Sequence, residues 1–275
     1  MRIGSREFDT KQHCYIMGIL NVTPDSFSDG GKYNEMDAAL FHAEEMVREG
    51  ADILDVGGES TRPGHIQITE DEEIARVAPV VEALKKRFEV PISIDTYKSK
   101  VAKAALTAGA DLVNDIWGLK YDAKMAEVIA KSGAACCLMH NREKAEYNDF
   151  ISDVLEDLKE CIRLAKAAGI REDGICLDPG IGFGKTYEMN LEMMKYLPLM
   201  HELEYPILLG TSRKSMIGLT LDLPADQREE GTLATTVMGV MSGCGFVRVH
   251  DVKSNLRAVK MTEAILRVHG VEEMR

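Results

Sequence analysis

The chain has 275 residues, 45% of them hydrophobic, and its 33 basic against 45 acidic side chains give a formal net charge of −12. That size suits one large α/β domain over residues 1–275, and an acidic surface with no run of basic residues disfavours nucleic acid as a partner. No apolar run approaches the ~18 residues of a membrane span, and the first twelve residues, with Arg2, Arg6, Glu7, Asp9 and Lys11, lack the apolar centre of a signal peptide. A cytoplasmic enzyme acting on small molecules is the expectation. None of the six cysteines forms a C-x-x-C, and Cys14, Cys136, Cys137 and Cys176 sit in apolar runs, so buried thiols are expected rather than a zinc site or a disulfide framework.

In chain order, short β-rich runs alternate with helical patterns. The run at 14–20 precedes a helix at 36–49 whose stripe is Ala39, Leu40, Ala43, Met46 and Val47. The runs at 52–57, 91–95 and 111–115 precede helices near 70–88, 99–108 and 123–132. Those at 134–140 and 174–178 precede helices near 150–168 and 187–197. The run at 206–210 precedes helices near 214–219 and 229–243, and that at 246–250 a last helix near 252–269. The near-continuous apolar strands fit parallel strands covered on both faces, and Gly50, Gly109, Gly133 and Gly169 fall where helices should stop. Eight strand–helix units with no linker predict a (β/α)8 TIM barrel, with an open doubly wound sheet as the alternative.

Polar groups end every strand: Asn21, 57–59, Asp95, Asn114 and Asp115, His140, Asp178, Thr211 and Ser212, and His250. A parallel barrel gathers all of these on one rim, so they predict a shared polar site rather than eight separate helix caps. Two stretches add to it. Asp178-Pro179-Gly180-Ile181-Gly182-Phe183-Gly184-Lys185 has neither Rossmann nor P-loop spacing and reads as a tight turn presenting Asp178 and Phe183. Gly210-Thr211-Ser212-Arg213-Lys214 leads into a helix N-terminus with two cations beside it, which suits an anionic group. Lys185 reads as surface charge, Trp117 as packing for its loop, and His140 stays open between rim and pocket wall.

Six ordered blocks, MGILNVTPDSFSDGG at 17–31, DVGGESTRPG at 55–64, SIDTYK with VNDIWG within 93–118, LDPGIGFGK at 177–185, LLGTSRKSMIG at 208–218 and RVHDV at 248–252, resemble the dihydropteroate synthase family. The resemblance runs from about residue 15 to 270 and departs at 141–150, NREKAEYNDF. It implies transfer of a dihydropterin methylene from its diphosphate to p-aminobenzoate, with release of pyrophosphate, in folate biosynthesis. By resemblance, Asp95, Asn114 and Asp178 bind the pterin edge and Lys214 donates to the ring. Arg248 and His250, with Thr61, hold the phosphates, and Asn21 is a Mg²⁺ ligand. Ser212 faces the p-aminobenzoate carboxylate, with Phe183 and Pro63 flanking its ring. Phe27 and Arg62 reach the substrates from two loops, 23–32 and 60–64. The catalytic set is Asp95, Asp178, Lys214, Arg248 and His250. A homodimer built through the late helices and inhibition by sulfonamides as p-aminobenzoate mimics are further implications. A pterin-binding methyltransferase barrel and a non-catalytic pterin binder are the competing readings. The first has no use for Arg248-x-His250, and the second would show lost ligands.

Overall fold

The computed structural model describes residues 1–23, 32–59 and 67–268. A short antiparallel hairpin, β1 (Arg2–Ile3) with β2 (Arg6–Glu7), comes first. Then follow β3 (Tyr15–Asn21), α1 (Lys32–Glu49), β4 (Ile53–Gly57), α2 (Glu70–Arg87), β5 (Ile92–Asp95), α3 (Ser99–Ala108), β6 (Leu112–Asp115) and α4 (Met125–Ser132). The second half runs β7 (Ala135–Met139), α5 (Phe150–Ala168), β8 (Ile175–Asp178), α6 (Tyr187–Lys195), β9 (Leu208–Leu209), α7 (Ser215–Leu221), α8 (Glu229–Met241), β10 (Phe246–Val249) and α9 (Val252–Leu266).

The parallel strands pair in the order β8-β7-β6-β5-β4-β3-β10-β9. The remaining seam closes by a single bridge between Leu177 and Ile207, where the Leu177 N–H donates to the Pro206 carbonyl at 2.9 Å. The (β/α)8 barrel expected from the strand–helix alternation is therefore formed, and the open doubly wound alternative falls.

Period-two alternation separates two apolar layers. Ile16, Leu54, Val56, Ile92, Ile94, Val113, Leu138, Leu177, Val247 and Val249 pack outward against the helices. The intervening residues Met17, Ile53, Leu112, Ala135, Cys137, Cys176, Leu208 and Phe246 fill the barrel interior together with Ile3 and Phe8. All six cysteines are free and buried, as their apolar surroundings predict. Left-handed glycines end the helices where expected: Gly109, Gly133 and Gly169 each sit at a helix C-terminus with φ between 71 and 113°. The side chains of Thr69, Asp149 and Thr186 cap α2, α5 and α6 at their N-termini.

The N-terminal hairpin was not visible as an element, because two-residue strands carry no readable period. It nonetheless plugs the N-terminal end of the barrel. Phe8 is buried against Tyr15 and Phe246, with ring centroids 4.8 and 5.5 Å away. Arg6 reaches Asp52 at 2.6 Å, and the other oxygen of Asp52 accepts from the Ile16 N–H at 3.0 Å. Phe8→Ala should lower stability by about 3–5 kcal/mol, read as a fall in the urea midpoint. An unchanged midpoint would show that the plug contributes nothing.

Candidate active site

Because the barrel interior takes every second strand residue, the polar side chains at the strand ends that share its face converge without any loop having to fold inward. Strand pairing sets Asn21 beside Gly57, Gly57 beside Asp95, and Asp95 beside Asn114. Asp178 and Arg248 join them on the interior face of β8 and β10. Asp55, Asp95, Asn114 and Asp178 are all buried, with Asp55 fully so.

The centre of this cluster is an ion-pair network. Arg248 donates from Nε to Asp55 Oδ2 at 2.6 Å and from Nη2 to Asp95 Oδ2 at 2.6 Å. Asn114 Nδ2 donates to the same Asp55 oxygen at 3.2 Å. Burial pushes the Asp95 carboxyl up to about 7 against the pull of Arg248, and burial pushes Asp178 up to about 6 against its bond from the Gly180 N–H and the charge of Lys214. Burial works to lower the Arg248 pKa, but Asp55 and Asp95 outweigh it and raise it above its ordinary value. Asp55 Oδ1 and Asp95 Oδ1 are buried without a hydrogen-bond partner among the described residues. Two unused acceptors in a desolvated pocket call for a ligand with donors.

Glycines leave the room for one. A Cβ at Gly57 would stand 3.5 Å from Asn21 Oδ1 and 3.8 Å from Asp95 Oδ2, and one at Gly210 would stand 3.4 Å from Asp178 Oδ2. A side chain at either position would occupy the space in front of these oxygens.

The segment after β9 turns sharply. Arg213 takes a left-handed φ of 57°, held by its N–H on Thr232 Oγ1 at 3.1 Å and its carbonyl on Arg228 at 3.0 Å. That turn sends Arg213 away to Asp251 at 2.8 Å, so only Lys214 of the two expected cations faces the site. Lys214 Nζ lies 4.0 Å from the Phe183 ring centroid. Ser212 Oγ lies 2.9 Å from His250 Nδ1 and accepts from the His250 N–H at 3.2 Å. These two contacts couple the ends of β9 and β10.

Two expectations need correction, and one left open is resolved. Asp115 faces outward, where its carboxylate accepts the Trp117 and Leu119 N–H groups at 2.9 and 2.7 Å and shapes that loop. His140, left open between rim and pocket wall, is a satisfied buried histidine bound at 3.0 Å to Asp157 on α5. Lys185 is no surface charge: its ammonium is enclosed by His140 Nδ1 at 2.8 Å and the carbonyls of Gly180 and Phe183 at 2.9 and 3.1 Å. Trp117 packs with Phe183 against Tyr97, Ile116 and Met139, in keeping with its expected packing role. Thr61, Arg62, Pro63 and Phe27, with most of both loops, lie outside the described residues. One site residue was missed, Asp55. Its signal was available, since Ile53-x-Asp55-x-Gly57 alternates in phase with the interior and puts a carboxylate in mid-strand.

A family model described as pterin binding enzyme matches residues 17–250. A dihydropteroate synthase of Clostridium beijerinckii is 62% identical over 268 residues, covering 97% of this chain and all of the relative, and one of Bacillus subtilis is 55% identical, covering 95% and 92%. The chain belongs to the dihydropteroate synthase family. Among solved structures, a dihydropteroate synthase from Clostridium difficile, determined in the presence of pteroic acid, superposes with a TM-score of 0.93 at 52% identity, covering 95% of this chain and all of the other. Another from Xanthomonas albilineans, with 4-aminobenzoic acid, gives 0.89 at 40% identity and 94% coverage of each. Within this dihydropteroate synthase fold, the shared rim of Asp55, Asp95, Asn114, Asp178 and Arg248 holds two of the buried side-chain oxygens that have no partner among the described residues.

Removing one partner of a buried ion pair leaves the other charge uncompensated. Asp55→Ala should therefore cost about 3–5 kcal/mol in stability, measured by urea unfolding, and Asp55→Asn less. Equal midpoints for wild type and Asp55→Ala would contradict the network described.

Proposed function

We propose that this dihydropteroate synthase chain joins (7,8-dihydropterin-6-yl)methyl diphosphate to p-aminobenzoate on the barrel rim, releasing pyrophosphate, with Asp95, Asn114, Asp178, Lys214, Arg248 and His250 as the working residues. The observation that carries this is the pair of unpartnered acceptors beside a partly buried arginine and two further interior polar side chains. An aminopyrimidinone edge is rich in N–H donors, which carboxylates accept bidentately, while an amide both donates and accepts. Asp95 and Asp178 take the donors, Asn114 reads the mixed edge, and Lys214 donates to the ring oxygen or a ring nitrogen.

The reaction breaks the C–O bond between the methylene and the diphosphate and forms a C–N bond to the amine, which loses its proton to the surrounding phosphate or water. The conjugated pterin can share positive charge as the diphosphate leaves. Asp95 and Asp178 are placed to stabilise that charge in a desolvated pocket. Two donor nitrogens of Arg248 are engaged by Asp55 and Asp95, and Nη1, which neither aspartate engages, is the donor for the departing phosphate. His250, aligned by Ser212, stands beside it. Thr61 and Arg62 would assist on the phosphates, and Pro63 with Phe183 would flank the p-aminobenzoate ring. No protein nucleophile enters the scheme.

Mg²⁺ fits the same rim. The space in front of Gly57 is bordered by the Asn21 and Asp95 oxygens, and the described residues contain no group of three His, Cys, Asp or Glu side chains able to hold a metal alone. Asn21 would supply one ligand, with diphosphate oxygens and water completing the shell. Bound there, the ion would neutralise charge on the leaving group. A sulfonamide complex of the Yersinia pestis dihydropteroate synthase, 42% identical to this chain with a TM-score of 0.91, supports sulfonamides as competitors for p-aminobenzoate here. A homodimer is supported by the exposed apolar side chains of the late helices, Leu219 and Leu221 on α7, Met238 and Met241 on α8, and Met261 and Ile265 on α9. No described helix is long and apolar enough to cross a membrane.

A condensation assay with both substrates, with and without Mg²⁺, tests the function directly: turnover that requires the metal is expected, and no 7,8-dihydropteroate formation would overturn the assignment. Lys214→Ala and Asp178→Ala should each reduce kcat/KM by at least about 2–3 kcal/mol of transition-state stabilisation; near-wild-type values would remove them from the site. Departure of the diphosphate before amine attack predicts oxygen scrambling within the diphosphate when p-aminobenzoate is omitted. Fast turnover without any scrambling would instead indicate concerted displacement. Sedimentation at twice the chain mass is expected for the dimer, and a monomer at assay concentration would refute it.

A further inference from the structure

The turn 179–186, between Asp178 and α6, has three left-handed glycines, of which Gly180 and Gly184 admit no other residue. A Cβ at Gly180 would meet the His140 carbonyl oxygen at 1.9 Å, and one at Gly184 the Arg142 carbonyl oxygen at 2.5 Å. The turn therefore lies flat against residues 140–142. Such a turn exposes carbonyls on its inner side, and each needs a donor.

Lys185 and Tyr147 supply them. Lys185 Nζ donates to the Gly180 and Phe183 carbonyls, and Tyr147 donates from its hydroxyl to the Gly184 carbonyl at 2.7 Å. The third Lys185 contact is His140 Nδ1, while His140 Nε2 meets Asp157. Three acceptors around one ammonium fix its protons, and they fix the His140 tautomer with the proton on Nε2 facing the carboxylate. Burial lowers the His140 pKa to about 4, which keeps the ring neutral and able to accept from Lys185. Arg142 anchors the other end of the chain, donating to the same Asp157 oxygen at 2.6 Å and lying 4.3 Å from the Tyr147 ring centroid. The result is a continuous brace from α5 through Asp157, His140 and Lys185 to the turn. The segment 141–150, where this sequence departs from the family pattern, supplies two of its members.

We infer that Lys185 is a positioning residue for the synthase reaction: through the Gly180 and Phe183 carbonyls it holds the turn that sets Phe183 against Lys214. Phe183, which would flank the p-aminobenzoate ring, contacts Lys214 Nζ and packs with Trp117, so displacement of the turn moves one wall of the second substrate's place, while Lys214 is carried by the separate segment that opens α7. The Asp178 backbone is fixed by the pairing of β8, and the turn reaches its carboxylate only through the Gly180 N–H at 2.7 Å, so Asp178 moves less than Phe183. Lys185 itself touches neither the interior carboxylates nor Arg248. The inference rests on the synthase reading above.

The test is Lys185→Met in the full chain, with Tyr147→Phe as the milder variant. The KM for p-aminobenzoate should rise about tenfold in Lys185→Met and about threefold in Tyr147→Phe, while the Kd for the dihydropterin diphosphate changes less than twofold. Trp117 is the sole tryptophan in the chain, so its emission reports the same turn and should shift in Lys185→Met at temperatures where the protein is folded. A KM for p-aminobenzoate within twofold of wild type in Lys185→Met, or equal losses in both substrates, would overturn the inference. If Lys185→Met does not fold, an unchanged KM in Tyr147→Phe overturns it. Wild-type protein that makes no 7,8-dihydropteroate would defeat the synthase reading instead, independently of either variant.

Discussion

Inside the barrel, the Arg248 guanidinium stands between the carboxylates of Asp55 and Asp95, and Asn114 ties itself to the same Asp55 oxygen. Charges removed from water are costly unless paired, and the pairing here is incomplete by one oxygen on each aspartate. That imbalance governs the rest of the molecule. It demands a ligand rich in donors, it lifts Asp95 and Asp178 towards neutral pH through burial, and it ties the shape of the rim to the charge state of the interior.

The scaffold meets the demand by dividing labour along each strand. The N-terminal halves present apolar residues inward, closed below by Ile3 and Phe8. The C-terminal halves present Asp55, Asp95, Asn114, Asp178 and Arg248. Since side chains two apart share a face, the same alternation that builds the apolar plug delivers the polar crown above it. Chemistry and stability therefore use one backbone pattern, and a one-residue register slip would lose both. The outer helices hold the crown at second hand, as α5 does through Asp157, His140 and Lys185.

Much of this was legible in the sequence. The eight units, the helix-ending glycines and the convergence of Asp95, Asn114, Asp178 and the 212–214 turn follow from periodicity and from the places where strands end. What escaped did so for physical reasons. The β1–β2 hairpin is too short to show a period. Asp55 sits in mid-strand, so a search confined to strand ends passes over it although its phase is correct. Lys185 and His140 acquire their roles from Asp157 on a distant helix, and one-dimensional spacing cannot report an enclosure made by tertiary contacts. Arg213 and Lys214 look equivalent in sequence, and only the left-handed turn at Arg213 separates them.

The central claim is that buried, partly paired aspartates receive the pterin as ionised acceptors. Carbon-13 NMR of the aspartate carboxyls, assigned with Asp95→Asn and Asp178→Asn, measures this most directly. In the protein alone, Asp95 should titrate near 7 and Asp178 near 6. Adding a dihydropterin without the diphosphate should pull both titrations to lower pH, because bound N–H donors favour the charged form. Titration of both groups near the ordinary aspartate value of about 3.9, with no response to the pterin, would contradict the account.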